Sequence, residues 1–590
     1  MNFSILAQTS RQAAAAARAA ARLPARLMSS SLFRTRIDKS GARILFVMAA
    51  FACVFSVIIG RLAHLGLKPD EPVTARRAAS GDISAARPKI LDRNGEMLAS
   101  DIPTVSVFAE PRKIIDKDEA AELLNGVFPD LNGRELREKL STRRGFVWVK
   151  REVPPKLQAE IYRFGLPGVG FAPENKRVYP GGPVAGHVLG FANVDNAGIA
   201  GIEKWIDGQG LNDLKGAGFS TQAADLKPVQ LSIDMRVTHA VREEIAKAVA
   251  KYKAKAGAGL IMDVNTGEII AHVSLPDYDP NTPADAHKND NINRLAVGVY
   301  EMGSTLKAIT TAMALDSGKV TLTSTFDASA PLAFGRFRIR DFKGKGRALN
   351  VPEIFIYSSN IGTARMALRI GVDGHRAFLR KMGMLDRMQT ELPESAAPIV
   401  PQRWGELNTM TIAFGHGLAV APLQAVAATA ALVNGGMFIP PTYLKRSAEE
   451  AKALSRRVIK PETSDAMRFL LRLNAEKGSA QRANVPGYYV GGKTGTSEKV
   501  INGRYSKTKN LTTFMAIVPA DKPRYLFLTM LDEPQGLPET GGYSTAGMNT
   551  APVTGYIIER VGPMLDINPR FDIPKNPFPV AARLTLGVQQ

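Results

Sequence analysis

Three textures of hydrophobic patterning follow one another along the chain. Ile44 to Gly60 is an uncharged apolar run, ILFVMAAFACVFSVIIG. It is apolar all round rather than striped, unlike a surface helix. As a helix its 17 residues cover roughly 26 Å, which crosses a hydrocarbon core of about 30 Å if Arg43 and Arg61 snorkel. Between 87 and 225 the pattern is mixed. Asp92-Arg93-Asn94-Gly95 reads as a turn between two short β-like runs, helical patches occur within 117–165, and a Gly-rich stretch follows Tyr179-Pro180. From Val229 the periodicities sharpen. Met235–Tyr252 has a helical stripe, and GLIMDV and EIIAHVS flank the hairpin signal Asn265-Thr266-Gly267. Residues 304–480 are mostly helical in pattern. Strand-like runs return at 488–498, 511–518 and 524–531, the last two joined across Ala520-Asp521-Lys522-Pro523. A strand pair, then helices, then three strands predicts one antiparallel sheet closed from both ends of the segment, with helices packed on it.

These textures give an α+β fold divided as 1–43, a basic tail; 44–61, a transmembrane anchor; 62–225, an extended mixed domain without a catalytic cluster; 226–565, the sheet-and-helix domain; and 566–590, an irregular tail. The 590 residues suit two to four domains. Residues 1–43 hold eight basic side chains and one acid, Asp38, a net +7 out of +21 for the chain. This excess before the span orients the N-terminus to the cytoplasm and exports everything beyond Arg61. A cleaved signal peptide fits less well, because 43 residues precede the run and no A-x-A site follows Gly60 closely. The acid-free, Arg- and Ala-rich residues 1–36 also match an organellar transit peptide. The single cysteine, Cys53, lies within the span, so no intrachain disulfide and no cysteine metal site is expected. The seven histidines form neither HExxH nor His-x-His, so no metal or other cofactor is expected. No Lys/Arg run interleaves with aromatics, which argues against nucleic acid as the partner of this basic chain.

Three short motifs carry chemistry. Ser304-Thr305-Leu306-Lys307 opens an apolar helix-like run, Ser358-Ser359-Asn360 lies between two helical pieces, and Lys493-Thr494-Gly495-Thr496 sits on the first terminal strand. About two S-x-x-K are expected by chance in a chain of this length. A second one, Ser506 to Lys509, occurs in what reads as a polar loop and is assigned no role. The set and its order are what count. S-x-x-K on a helix puts both side chains on one face. Serine needs a base to become a nucleophile, and Lys307 serves only if neutral. That requires its pKa to fall by about 3 units, a cost of roughly 4 kcal/mol. Burial and a second cation, Lys493, both push that way. Ser358 is placed to relay a proton, and Asn360 to hold substrate amide or Lys307. The Thr496 strand offers an N–H that joins the N–H of Ser304 in an oxyanion hole. The reaction class is acyl transfer through an acyl-serine.

S-x-x-K, S-x-N and K-T-G in this order resemble the signature of the penicillin-recognising serine transpeptidases and serine β-lactamases. The rest resembles a class B penicillin-binding protein of the cell-division type. The supporting text is Arg87-Pro88 with Asp92 to Gly95, Arg177 to Pro180, Gly198 to Glu203, Asp279-Pro280-Asn281, Asn293-Arg294 and FGHGLAVAPLQ at 414–424. The resemblance implies a D,D-transpeptidase that cross-links peptidoglycan stem peptides, lipid-linked or on nascent glycan, at the septum and is inhibited by β-lactams. By similarity Ser304 is acylated and Lys307 is its base. Ser358 and Asn360 relay and orient, while Lys493, Thr494, Gly495 and Thr496 bind the donor carboxylate and shape the oxyanion hole. It also implies a non-catalytic pedestal, a bacterial inner-membrane location with the catalytic domain periplasmic, and septal partners, above all a polytopic glycan polymerase among the divisome proteins.

One departure is Met302, where the family commonly has proline. No glycosyltransferase-sized domain precedes the pedestal, which disfavours the bifunctional class. A β-lactamase needs a deacylating carboxylate, and in the nearest frame, Gly405-Glu406-Leu407-Asn408, the required Glu position is Trp404. An elongation-type relative and a D,D-carboxypeptidase remain open. A catalytically dead scaffold is disfavoured by intact Ser304, Lys307, Ser358 and Lys493.

Overall fold

The computed structural model describes residues 39–67, 86–211, 226–501, 503–573 and 578, with side chains in the first stretch described at 46–61. The first 38 residues of the expected tail 1–43, residues 68–85 and 212–225 of the expected mixed domain, and the end of the C-terminal tail lie outside the described residues. Met1–Ser80 and Gly81–Gln590 are separate compact units. In the first, α1 (Lys39–Leu67) is a helix on which Phe46, Phe51, Phe55 and Ile59 are exposed. Among the described residues no helix is long and apolar enough to cross a membrane.

The second unit begins with a mixed sheet. β1 (Ile90–Leu91) and β2 (Met97–Ala109) flank the expected turn, which Asp92 closes by accepting from the N–H groups of Asn94 and Glu96 at 2.7 and 2.9 Å. β2 pairs with β3 (Val147–Val153) and β4 (Val169–Val178). Helices α2 (Lys117–Val127), α3 (Gly133–Leu140) and α4 (Pro155–Arg163) cover it, burying Leu124, Leu136 and Ile161 against Val107 and Val149. The helical patches form as the pattern predicts, but β3 was not apparent. Its Val147, Val149 and Val153 face the core while charged Lys150 and Arg151 interrupt the run. β5 (Val229–Gln230) pairs in parallel with β1 and leads the chain out of this sheet.

A buried ion cluster ties the elements of this domain together. Arg87, wholly inaccessible, donates through Nε to Glu203 Oε2 at 2.7 Å and through Nη1 to Asp207 Oδ1 at 2.6 Å. Arg177 donates to Glu203 Oε1 at 2.7 Å and to Asp101 at 3.0 Å. Arg87→Met removes the only cation that pairs with buried Asp207 among the described residues and leaves Glu203 with Arg177 alone. Stability should fall by about 3–5 kcal/mol in a denaturant melt, and a loss under ~1 kcal/mol would show the cluster to be dispensable.

The second sheet matches the pattern closely. α5 (Met235–Lys251) precedes β6 (Ala256–Asp263) and β7 (Ile269–Leu275). After the helical region come β8 (Gly491–Ile501), β9 (Arg504–Val518) and β10 (Tyr525–Asp532). The order is β8-β9-β10-β6-β7, antiparallel throughout. Both faces are covered, so the strands alternate between two cores rather than between core and water. Phe514 and Ala516 join α5 and the C-terminal helix Thr550–Val561, whereas Met515 and Ile517 join the helices of the 306–477 region. The decoy Ser506–Lys509 lies on the exposed outer part of β9, not in a loop. A long hairpin arm presents no apolar face there, and its polar sequence therefore reads as a loop. Small two-stranded pieces also interrupt the helical region, among them Leu332–Phe334 with Phe337–Ile339.

His375, on helix Val372–Lys381, is 1% exposed and packs edge-on against Trp404 at 5.9 Å. Neither ring nitrogen has a partner among the described residues. Burial lowers its pKa from 6.5 to about 4. The unfolded chain therefore binds a proton more readily, and the contribution of this site is lost as pH falls from 6.5 toward 4. His375→Phe should recover ~3 kcal/mol of the acid-induced loss by pH 4.5. Urea melts at pH 7 and 4.5 check this, and equal acid losses in both proteins would refute it.

Candidate active site

The nucleophile candidate and its base candidate sit where a short turn becomes a helix. Gly303–Thr305 form one 3-10 turn that runs into α6 (Leu306–Asp316). Ser304 is half-buried, and its hydroxyl has no hydrogen-bond partner among the described residues. Thr305 is buried and donates to Met302 O at 2.7 Å, fixing the turn. Gly303 has φ +54, and a Cβ there would stand 2.8 Å from Thr496 O. A Cβ on Gly495 would stand 2.6 Å from Met302 O. The glycine of K-T-G thus lets β8 lie directly on the Ser304 turn, bringing the backbone of Thr496 beside that of Ser304.

Lys307 is 1% exposed. Its Nζ donates to Ser358 O at 2.5 Å and Asn360 Oδ1 at 2.7 Å, and lies 3.0 Å from Ser358 Oγ. Lys493 is equally buried, and its Nζ also lies 3.0 Å from Ser358 Oγ. One hydroxyl therefore joins the two amines. Burial, and then the charge of Lys493, hold Lys307 well below the ordinary lysine pKa against the opposing pull of Asp341. Burial lowers Lys493 to about 7. Two ammonium groups this close in a dry site repel, so the pair favours one proton, on Lys493, and a neutral Lys307. A neutral amine that uses both N–H bonds on Ser358 O and Asn360 Oδ1 keeps a lone pair for a proton.

Ser358 adopts φ 56, a left-handed conformation that a non-glycine residue holds only where its surroundings enforce it. The enforcing contacts come from the helix that follows, α8, numbered after α7 (Val351–Ile356) and covering Asn360–Ile370. Ser359 caps α8 by accepting from Gly362 N at 3.0 Å. Asp341 accepts from Ser359 Oγ at 2.7 Å and from Ile361 N at 3.0 Å. Asn360 donates to Arg340 O at 2.9 Å. Asp341 was missed in the sequence. It is the one acid in a basic stretch, and nothing local marks it as the clamp of a motif about twenty positions away.

On β8, Thr494 is buried, and its hydroxyl pairs with that of Ser479 at 2.6 Å. Thr496 Oγ1 accepts from Ala546 N at 3.1 Å, which leaves its O–H free to donate. The structure thus brings Ser304, Lys307, Ser358, Asn360, Lys493 and Thr496 to one place, with Thr494 and Gly495 on the strand between.

The text that supported the resemblance also comes together. Tyr179 N donates to Asn281 Oδ1 at 3.0 Å, and Asn281 Nδ2 donates to Tyr179 O at 2.9 Å. Asn293 Oδ1 lies 2.9 Å from the buried His272 Nε2, and Gln424 donates to Gly383 O and Asp386 O.

Comparison with known proteins gives the same grouping. A family model for the penicillin binding protein transpeptidase domain matches residues 257–557, and one for the penicillin-binding protein dimerisation domain matches 82–209. A probable peptidoglycan D,D-transpeptidase FtsI of Caulobacter vibrioides is 37% identical over 85% of this chain and 86% of its own length. The chain belongs to the penicillin-binding protein transpeptidase family. Within the family, the peptidoglycan D,D-transpeptidase FtsI of Escherichia coli is 28% identical over 89% of this chain and 92% of its own length. The fold is shared with a peptidoglycan synthetase from Bifidobacterium adolescentis, at TM-score 0.65 and 22% identity over 84% of this chain and 98% of that one.

Proposed function

We propose that this protein is a serine D,D-transpeptidase that cross-links peptidoglycan stem peptides through an acyl-Ser304 intermediate and is acylated there by β-lactams. The observation that carries the reading is the convergence of two buried lysines on Ser358 Oγ, 3.0 Å from each. Neutral Lys307 takes the Ser304 proton as Oγ attacks the penultimate carbonyl of the donor peptide. The N–H groups of Ser304 and Thr496 receive the oxyanion. Ser358 passes a proton to the departing amine and is replenished from the lysine pair, while Asn360 holds Lys307 in place. Cationic Lys493 and the free Thr496 hydroxyl take the donor's terminal carboxylate. Thr494 orders the strand through Ser479, and Gly495 permits its approach.

The domain limits, 62–225 for a pedestal and 226–565 for the catalytic part, belong to the same proposal. So do a membrane anchor at 44–61, an exported catalytic domain in a bacterial inner membrane, and septal partners including a polytopic glycan polymerase. Support for the anchor comes from the uncharged run 44–60, the +7 before it and the exposed apolar side chains of α1.

Intact-mass spectrometry with benzylpenicillin tests the chemistry. The expected result is an adduct that persists for many minutes on the wild type and is absent from Ser304→Ala. A transient adduct with drug turnover would point to a β-lactamase, and no adduct on folded protein would end the catalytic reading.

A further inference from the structure

The segment that clamps the S-x-N turn is itself the most basic stretch of the described surface near the site. Residues 336–347 read RFRIRDFKGKGR, six cations against one carboxylate. Arg336, Arg338, Arg340, Lys343, Lys345 and Arg347 are all exposed. The acid, Asp341, is engaged inward by Ser359 and Ile361. Arg347 pairs with Glu353. Among the described residues the other five cations have no carboxylate partner.

Arg340, Lys343 and Lys345 reach the elements that carry the site, while among the described residues Arg338 makes only local bonds, to Gly335 O and Phe337 O, on the adjoining hairpin. Arg340 and Asp341 anchor the segment to Asn360, Ser359 and Ile361. From there Lys345 lies 4.3 Å from the ring centre of Tyr357, the residue before Ser358. Lys343 lies 5.9 Å from the ring centre of Tyr543, on the loop whose Ala546 holds Thr496. The basic segment thus touches the S-x-N side and the K-T-G side together. Phe342 between the two arms is 77% exposed. An unneutralised row of cations beside exposed aromatic rings is a recognition surface for an extended anionic chain, not a solvated face laced with ion pairs.

We propose that Lys343 and Lys345, extended by Arg336 and Arg338 of the adjoining hairpin, form the acceptor site, binding the carboxylates of the second peptide, whose amine attacks acyl-Ser304. This rests on the transpeptidase reading and extends it to the second substrate. A membrane surface would satisfy the same charges, but contact with Tyr357 beside Ser358 and with Tyr543 on the loop that holds Thr496 favours a ligand that must reach Ser304. In the step served, the acceptor nitrogen forms a C–N bond to the acyl carbon and the ester C–O bond breaks. The proton lost by the amine ends on Ser304 Oγ, leaving a peptide bond and free serine. The same cations favour the neutral, nucleophilic form of an amine brought among them.

The test uses the full chain acylated by a D-alanyl thioester, with two acceptors offered separately. N-acetyl-γ-D-glutamyl-lysine presents one amine and two carboxylates, and its diamide presents the same amine and none. The wild type should aminolyse the dicarboxylate about tenfold more efficiently than the diamide at low salt. That preference should shrink at 0.5 M salt, where the screening length falls to a few ångströms. Arg336→Gln/Arg338→Gln/Lys343→Gln/Lys345→Gln should bring the ratio close to one through the acceptor KM, with benzylpenicillin acylation within about threefold of wild type. If the quadruple variant melts early, Lys343→Gln/Lys345→Gln should still lower the ratio severalfold. A wild type without preference, or a preference that survives in both variants, overturns the site. Loss of binding to anionic phosphatidylglycerol vesicles with the preference intact would overturn it in favour of a membrane contact. Failure of the thioester to acylate Ser304 removes the transpeptidase reading itself. Acylation followed by aminolysis without carboxylate preference removes only the acceptor site.

Discussion

Lys307→Met should acylate with benzylpenicillin at least about 1,000-fold more slowly than the wild type while remaining folded, with a lower melting temperature. The first half follows from general-base catalysis, which contributes roughly 10²–10⁴-fold. Lys307 is the amine held by Ser358 O and Asn360 Oδ1. Its pKa is low because it is buried and faces Lys493. Methionine has nearly the same length and leaves Ser358 Oγ with Lys493 as partner, but it donates nothing to Ser358 O and Asn360 Oδ1. The melting prediction follows, because two acceptors in a buried site lose their donor. Stopped-flow acylation with a fluorescent penicillin, alongside thermal melts, measures both quantities. A rate within tenfold of wild type in a folded variant would remove Lys307 from the mechanism and move the base to Lys493.

Wild-type acylation should fall as pH rises through about 7, and Lys493→Met should abolish that alkaline limb. Lys493 titrates near 7 because it is buried. Below that pH it is a cation able to bind the drug's carboxylate, and above it the attraction is lost. The charge of Lys493 is also the second cause of the low Lys307 pKa. Removing it lets Lys307 hold a proton to higher pH, so the acid limb of the variant should move upward. At pH 6.5 the two effects act together, and a loss of about 100-fold or more is expected, typical of removing one preorganised electrostatic contact. The profile of acylation from pH 5 to 9 in both proteins decides this. An alkaline limb that persists unchanged in Lys493→Met would assign it to another group, and an unshifted acid limb would uncouple the two lysines.

The comparison of sequence and fold separates local from non-local information. The closed antiparallel sheet was legible because β6, β7, β9 and β10 are apolar runs bounded by turn residues, and each signal lies within about ten positions. α5 was legible for the same reason. β3 was not, because Lys150 and Arg151 break its alternation, and the pairing with β2 that defines it spans about 45 residues. The outer arm of β9, including Ser506 to Lys509, failed similarly. Largely exposed, it lies in an irregular part of the β8–β9 ladder, where the register runs from Glu498 with Asn510 to Val500 with Tyr505, and no local apolar pattern marks it.

At the site, the chain alone determined the chemical inventory. Ser304 with Lys307, Ser358 with Asn360, and Lys493 to Thr496 are short-range spacings whose chemistry is readable residue by residue. Tertiary structure decided what each group faces. Lys307 and Lys493 stand 186 positions apart, and only folding brings both to Ser358 Oγ. Asp341 became the clamp of the S-x-N turn, and Arg87 met Glu203 and Asp207. A lysine's protonation depends on the water and charge around it. Those surroundings are set by contacts between distant segments, so the motif names the base while the fold makes it neutral.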